Sequence, residues 1–412
     1  MQQPIKSARS FKRRKRTVTF PYMGQSHAVF KELLINLGND VVVPPRPNRF
    51  TLSLGAEHSP EFACLPLKII TGSYLEAIEK GADTIVSTGG VGPCRAGLYC
   101  EIHQFILNEL HLDVDLIVLE PPRVDLRDFI GKIEALNANG FSKWHVAKLV
   151  WYAWKKIIAL DHIERISHRV RAREAVLGST TKAFKKATAI INQVKTLSDL
   201  EEAEQRAEQV LTDVPLKPGF EPLRVGIVGE IYVLLEPSAN LEIEETLGEM
   251  GVETERSIYL AGWTKESKLF KKPGRKNQER LEQVALSYLG EMIGGHGQDS
   301  VAHAIQYAER GFDGVIQLSP FTCIPEIVAK SVLERVSRDF SIPVLSISLD
   351  EQTGKAGFVT RLEAFADLLA RRHTALQRKN ACDDGDPIRQ SDEDQLVEPK
   401  LSSTAARHYI NE

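Results

Sequence analysis

Apolar and polar positions along the chain follow two alternating periods. A strand-like run, TVTFPYMG from residue 17, precedes the helix-period segment HAVFKELLINLG, which Gly38 closes, and then DVVVPP. A helix over 65–80, a strand at TIVST, a helix over 95–110 and a strand at LIVLE complete this block. Strand and helix in alternation predict an α/β fold whose parallel sheet is covered on both faces. From about 126 to 220 the pattern shifts to long, charged, helix-period segments such as VAKLVWYAWKKIIALDHIERISHRVRAREA and LSDLEEAEQRAEQVLTDV, which predict a helical subdomain. Alternation resumes with RVGIVG, a helix around 241–250, a helix over 300–310, GVIQLS, a helix over 324–340, PVLSIS and a last helix over 360–372. The expected organisation is a basic arm over 1–16, a first α/β domain over 17–125, the helical subdomain over 126–220, a second α/β domain over 221–372 and an acidic tail over 373–412. Both tails lack hydrophobic periodicity and are expected to be disordered.

The two α/β blocks share more than class. YLEAIEKGADTIVSTGGVGPCRAG and AIQYAERGFDGVIQLSPFTCIPE each read as a helix, a helix-stop Gly, an Asp, an apolar strand, a short loop, a Cys and a helix start. Cys94 lies 13 residues beyond Gly81 and Cys323 lies 12 beyond Gly311, as if one unit were used twice.

Composition narrows the function. A chain of 412 residues with 42% hydrophobic and 26% charged residues supports several cores. Its net charge of -3 gives no electrostatic reason to expect nucleic acid. The run RSFKRRKR at 9–16 reads as a solvated arm, with a nucleic-acid or partner contact as the alternative. No apolar core follows it as in a signal peptide, and no segment is long and apolar enough to span a membrane, so a cytoplasmic protein is expected. Five cysteines, an odd and sparse count, point to reduced thiols.

Three of these thiols, Cys64, Cys94 and Cys323, fall at predicted helix N-termini, where free N–H groups and the helix dipole favour a thiolate. Cys94 and Cys323 also follow the carboxyl ends of predicted parallel strands, where open α/β sheets place ligands. Cys100 inside a helix and Cys382 in the tail read as structural and incidental thiols. The triple admits four readings: a structural zinc site, which lacks any CxxC or Cys/His pair of zinc-finger spacing; one nucleophilic cysteine with a His base; unrelated buried thiols; or an iron–sulfur cluster held by three thiolates.

The segments GGVGPCRAGLYCEIHQFIL, VGIVGEIYVLLEPSAN, GGHGQDSVAHAIQYAERGFDGVIQLSPFTCIPEI and SISLDEQTGKAGFVTRLEAFADLL resemble the 2-hydroxyacyl-CoA dehydratase and benzoyl-CoA reductase superfamily over roughly residues 17–372. The nearest likeness is to the branch labelled CoA-protein-activase-like or acyl-CoA-dehydratase-activase-related. The resemblance implies two Rossmann-like units holding a [4Fe-4S] or larger cluster, with Cys94 of GPCR, Cys323 of PFTC and Cys64 of EFACLP as ligands. It also implies single-electron chemistry, in which an ATP-dependent activator of actin-like fold feeds a recipient that reduces or dehydrates a small substrate such as an acyl-CoA. The chain has no GxxxxGK[ST] motif and reads as the recipient. A sister cluster subunit or a homodimer is the implied assembly. A non-catalytic electron relay or scaffold is the alternative function.

Further residues complete the expected site. Gly92 in the glycine loop and Arg95 beside Cys94 are read as cofactor contacts, Arg95 offsetting thiolate charge. His296 occupies the counterpart of Cys64 in the repeat and is read as a fourth ligand or proton donor, against a loop histidine. Glu230, ending the strand RVGIVGE, is read as a proton relay or a helix cap. Asp350 and Glu351 read as turn and cap residues, and Trp151 with Trp154 as a helix core stripe.

Overall fold

The structure, a computed structural model, describes residues 11–89, 94–120, 125–262, 276–291 and 293–383. The chain divides into a compact unit ending at Ala366 and a second unit beginning at Asp367, and both sheets belong to the first.

The first sheet contains β1 Thr17–Thr19, β2 Asp40–Val41, β3 Thr84–Thr88 and β4 Asp115–Leu119. Its strands are all parallel in the order β2-β1-β3-β4. The second contains β5 Leu223–Gly229, β6 Val252–Arg256, β7 Gly314–Pro320 and β8 Val344–Leu349, again all parallel, in the order β6-β5-β7-β8. The two orders are the same permutation, so the duplication suggested by the sequence extends to the pairing of strands. All seven residues of β7 are buried, as expected of a parallel strand covered on both faces.

β6 has no counterpart in the predicted strands. Its sequence VETER carries charge at alternate positions because it is an edge strand, paired only with β5. Glu253 meets Arg173 and Glu255 meets Arg310 on one face, while Val252, Thr254 and Arg256 point inward.

The helices of the first block are α1 Ser26–Asn36, α2 Arg49–His58, α3 Leu65–Glu79 and α4 Tyr99–Glu109, the last preceded by a single 3-10 turn over Arg95–Leu98. α2 and α3 cross backbone to backbone: a methyl group at Gly55 would overlap the Lys68 carbonyl, and one at Gly72 would overlap that of Thr51. Only glycine permits this approach.

Four helices follow: α5 Leu126–Leu136, α6 Lys143–Arg171, α7 Ser179–Gln193 and α8 Leu200–Thr212. α6, α7 and α8 share a core that interleaves Ile157, Leu160 and Ile163 with the small residues Ala187, Ala203 and Ala207 and reaches Val29 of α1 and Leu260, whereas Ala135 and Leu136 of α5 join the core of the first sheet. The Trp pair is not part of it, contrary to the core-stripe expectation. Trp151 is 50% exposed and lies 4.9 Å from Trp154 with the ring planes tilted by 39°, and Lys155 sits over its ring, because the buried face of α6 runs through Ala153 and Ile157.

The remaining helices are α9 Ile231–Leu235, α10 Ile243–Glu249, α11 Lys276–Leu289, α12 Gly297–Glu309, α13 Ile324–Asp339 and α14 Lys355–Asp383. α14 continues through 373–383, which the sequence pattern assigns to the disordered tail. The basic run also departs from expectation. Phe11 joins the core, Arg14 reaches Asp83 and Asp115, Lys15 pairs with Asp40 at 2.8 Å, and buried Arg16 pairs with Asp115 at 2.7 Å. Residues 14–16 therefore neutralise carboxylates at the amino ends of β2, β3 and β4 instead of forming a solvated arm. No helix among the described residues is long and apolar enough to cross a membrane.

Candidate functional site

Parallel strands point all their carboxyl ends to one edge, and every helix that follows or precedes a strand in such a unit begins at that edge. Five of the residues singled out from sequence occupy helix N-cap positions there. Cys64 caps α3, Cys94 the 3-10 turn, Glu230 α9, His296 α12 and Cys323 α13. Cys64 and Cys323 share the local sequence C-[LI]-P, with proline in the first turn, where its missing N–H costs nothing. The N–H groups of the third helical residues, Leu67 for Cys64 and Glu326 for Cys323, favour the thiolate without closing a cap hydrogen bond.

The fold brings these caps together. Cys64 is close enough to Cys94 and Glu230, and Cys323 to Glu230 and Cys64, for the charge of one to raise the pKa of the next. In each case burial is the larger cause of the rise. Gly295, at φ +52°, fits between Pro325 and Cys94: a Cβ there would lie 3.6 Å from the Cys94 sulfur. The loop that carries His296 is thereby set against Cys94. Two ties fasten the start of α3 to the second sheet, Thr322 Oγ1 donating to the Phe62 carbonyl at 3.1 Å and Lys68 Nζ meeting Glu351 at 2.8 Å. Thr322, immediately before Cys323, holds φ +65°, a left-handed conformation that costs a β-branched residue on the order of 1–3 kcal/mol.

Two carboxyls lie beside the thiols. Glu230 accepts from the N–H groups of Tyr232 and Val233 at 3.0 and 3.2 Å, so the cap reading is correct, yet burial pushes it up to about 7. Glu326, which the sequence reading missed, is fully buried and is also pushed up to about 7 by burial. Ser300 Oγ donates to it at 3.0 Å and Gln317 Nε2 at 2.8 Å. Its position three residues into α13 resembles an ordinary first-turn carboxylate, which is why the sequence gives no sign of it. Tyr99 was missed too; its hydroxyl lies 2.6 Å from the Cys64 sulfur. Burial, with His303 adding to it, lowers His296 to about 4, so at neutral pH it presents a neutral imidazole.

Glu326 sets a pH dependence. Its folded pKa stands above the ordinary 4.5, so its contribution to stability is complete below pH 4.5 and is lost as pH rises through about 7. Glu326→Gln is expected to match the parent near pH 4 and to exceed it above pH 7, in the metal-free protein, by up to about 3 kcal/mol. Urea unfolding at both pH values measures this; equal stability at pH 8 contradicts it.

The other candidates separate. Gly92 lies outside the described residues, as does the side chain of Arg95. Cys100 is buried inside α4 facing the Thr88 carbonyl at 3.6 Å, a structural thiol pushed up to about 12 by burial. Asp350 accepts from Gln352 N and Thr353 Oγ1 in a turn, as expected. Among the described residues no group of three or more His, Cys, Asp or Glu side chains converges on a point where one metal ion would sit. No protein-family model and no curated protein matches this chain, so its site is read from its own geometry and chemistry.

Proposed function

We propose that Cys64, Cys94 and Cys323 hold an iron–sulfur cluster, [4Fe-4S] or larger, where the carboxyl edges of the two Rossmann-like sheets meet. In this reading the chain takes low-potential electrons from an ATP-dependent activator of actin-like fold and reduces or dehydrates a small substrate, in keeping with its resemblance to the 2-hydroxyacyl-CoA dehydratase and benzoyl-CoA reductase superfamily. The observation that carries the reading is the gathering of three thiols, distant in sequence and drawn from both sheets, at helix N-termini within range of one another's charge. Bound there, the group supplies one-electron chemistry, with one iron left open by a three-cysteine ligand set.

The protein's own residues supply the rest. Helix N-termini offset the negative charge of three thiolates, which burial alone opposes. The neutral imidazole of His296 has a free lone pair, suited to an open metal position or to accepting a proton, and unsuited to donating one as imidazolium at neutral pH. Glu230, near half-protonation at pH 7, holds a proton at its carboxyl oxygens and releases or accepts it with little cost. Exposed Phe62, Phe321 and Ile324 flank Cys64 and Cys323 and give the approach to the site an apolar rim.

Protein purified without oxygen is expected to contain about four irons and four acid-labile sulfides per chain. Its reduced EPR signal should change when a thioester substrate is added. Absence of iron overturns the cluster; a loaded cluster whose signal no substrate alters points to an electron relay.

A further inference from the structure

We propose that Tyr99 is a positioning residue for Cys64: its hydroxyl donates a hydrogen bond to the sulfur and raises the reduction potential of the group that this sulfur holds. The inference rests on the cluster reading for its redox consequence, but not for its effect on the thiol itself.

The geometry is specific. Tyr99 Oη lies 2.6 Å from Cys64 Sγ. Tyr99 is the first residue of α4, directly after the turn that Cys94 caps. One phenol therefore joins the segment carrying Cys94 to the sulfur of Cys64, 35 residues away in sequence. The ring is held from its other side by His103, one turn further along α4, whose imidazole is edge-on to Tyr99 at 6.2 Å and to Tyr74 at 5.0 Å. His103 is itself 2% exposed, so this wall is a packed one.

Direction follows from protonation. An ionised or metal-bound sulfur carries no proton, so at this 2.6 Å contact the phenol O–H of Tyr99 is the donor. A hydrogen bond to a ligand sulfur withdraws charge from it and raises the reduction potential of the group it holds. Among the described residues Cys323 makes no such hydroxyl contact, so Cys64 and Cys323 differ despite the duplicated fold.

The test uses two variants of the full chain and two readouts. In metal-free protein, the rate of iodoacetamide alkylation at Cys64, resolved from Cys323 by peptide mass spectrometry, is followed against pH. Tyr99→Phe is expected to slow alkylation of Cys64 about tenfold at pH 8, the effect of a one-unit rise in thiol pKa, with Cys323 unchanged. Replacing Tyr99 by 3-fluorotyrosine, a stronger donor of nearly the same shape, should speed it. In iron-loaded protein, potentiometric EPR titration should give a lower reduction potential for Tyr99→Phe and a higher one for fluorotyrosine. An unchanged Cys64 profile in both variants overturns the inference even if iron binds. A shifted profile in protein that takes up no iron leaves the thiol effect standing and overturns the cluster instead.

Discussion

Cys94→Ala and Cys323→Ala are each expected to abolish iron binding, while Cys382→Ala leaves it intact. Each of the first two removes a donor at a helix start beside the other thiols, and Cys100, which faces the Thr88 carbonyl from inside α4, is not placed to replace it. Iron and sulfide analysis of anaerobically purified variants measures the effect. The fold should survive both changes, because neither sulfur closes a cap hydrogen bond and Cβ remains. Far-UV circular dichroism and an unchanged melting transition provide that control. Full iron content in either variant removes that residue from the ligand set.

The second large effect lies away from the thiols. Arg256 ends β6 with 1% of its side chain exposed. Its Nη2 binds Glu164 of α6, its Nη1 pairs with Glu244 of α10 at 3.3 Å and donates to the Leu234 carbonyl at 3.1 Å, and its guanidinium lies over Tyr259 at 4.6 Å. Helical segment and second sheet are thus fastened by one cation between two carboxylates. Arg256→Met keeps much of the volume but leaves the buried Glu244 and the partly buried Glu164 without this cation, and should cost about 3–5 kcal/mol in urea unfolding at pH 7. The loss should shrink towards pH 5, because burial holds the Glu244 carboxyl above its usual range and the orphaned group takes up a proton there; a raised folded pKa favours the fold at low pH and penalises it as pH rises. Adding Glu164→Gln to Arg256→Met should recover part of the stability. A loss below about 1 kcal/mol at pH 7 would show that the network is hydrated in solution.

Much of the site can be read before folding because it depends on local rules. A cysteine before a proline-bearing helix start, or after a strand and a short loop, is placed at a sheet's carboxyl edge by handedness and alternation alone. That is why Cys64, Cys94, Glu230, His296 and Cys323 all prove to be N-caps. The matching C-[LI]-P at Cys64 and Cys323 was an additional signal available in the sequence. Tyr99 and Glu326 offered none. Tyr99 is an aromatic at the start of an amphipathic helix, and only the approach of α3 to α4 turns it into a partner of Cys64. Glu326 looks like a first-turn acid until Ser300 and Gln317 close over it.

Charge misled where burial was not local. RSFKRRKR has the composition of a solvated arm, but Arg16 is buried because Asp115, 99 residues away, waits at the start of β4. VETER reads as polar because its pairing partners are charged side chains of other elements. The Trp pair on α6 reads as core because hydrophobicity without direction cannot tell which face the neighbouring helices cover.

By itself the sequence determined the α/β class, the duplicated parallel units and the helical segment between them, since periodicity and helix-stop glycines act within a few residues. It also determined which thiols stand at helix starts. Only the tertiary structure decided which of those starts face one another, which carboxyls are buried beside them and which basic residues are paired, because these depend on contacts between residues hundreds of positions apart, such as Lys68 with Glu351 and Phe62 with Thr322.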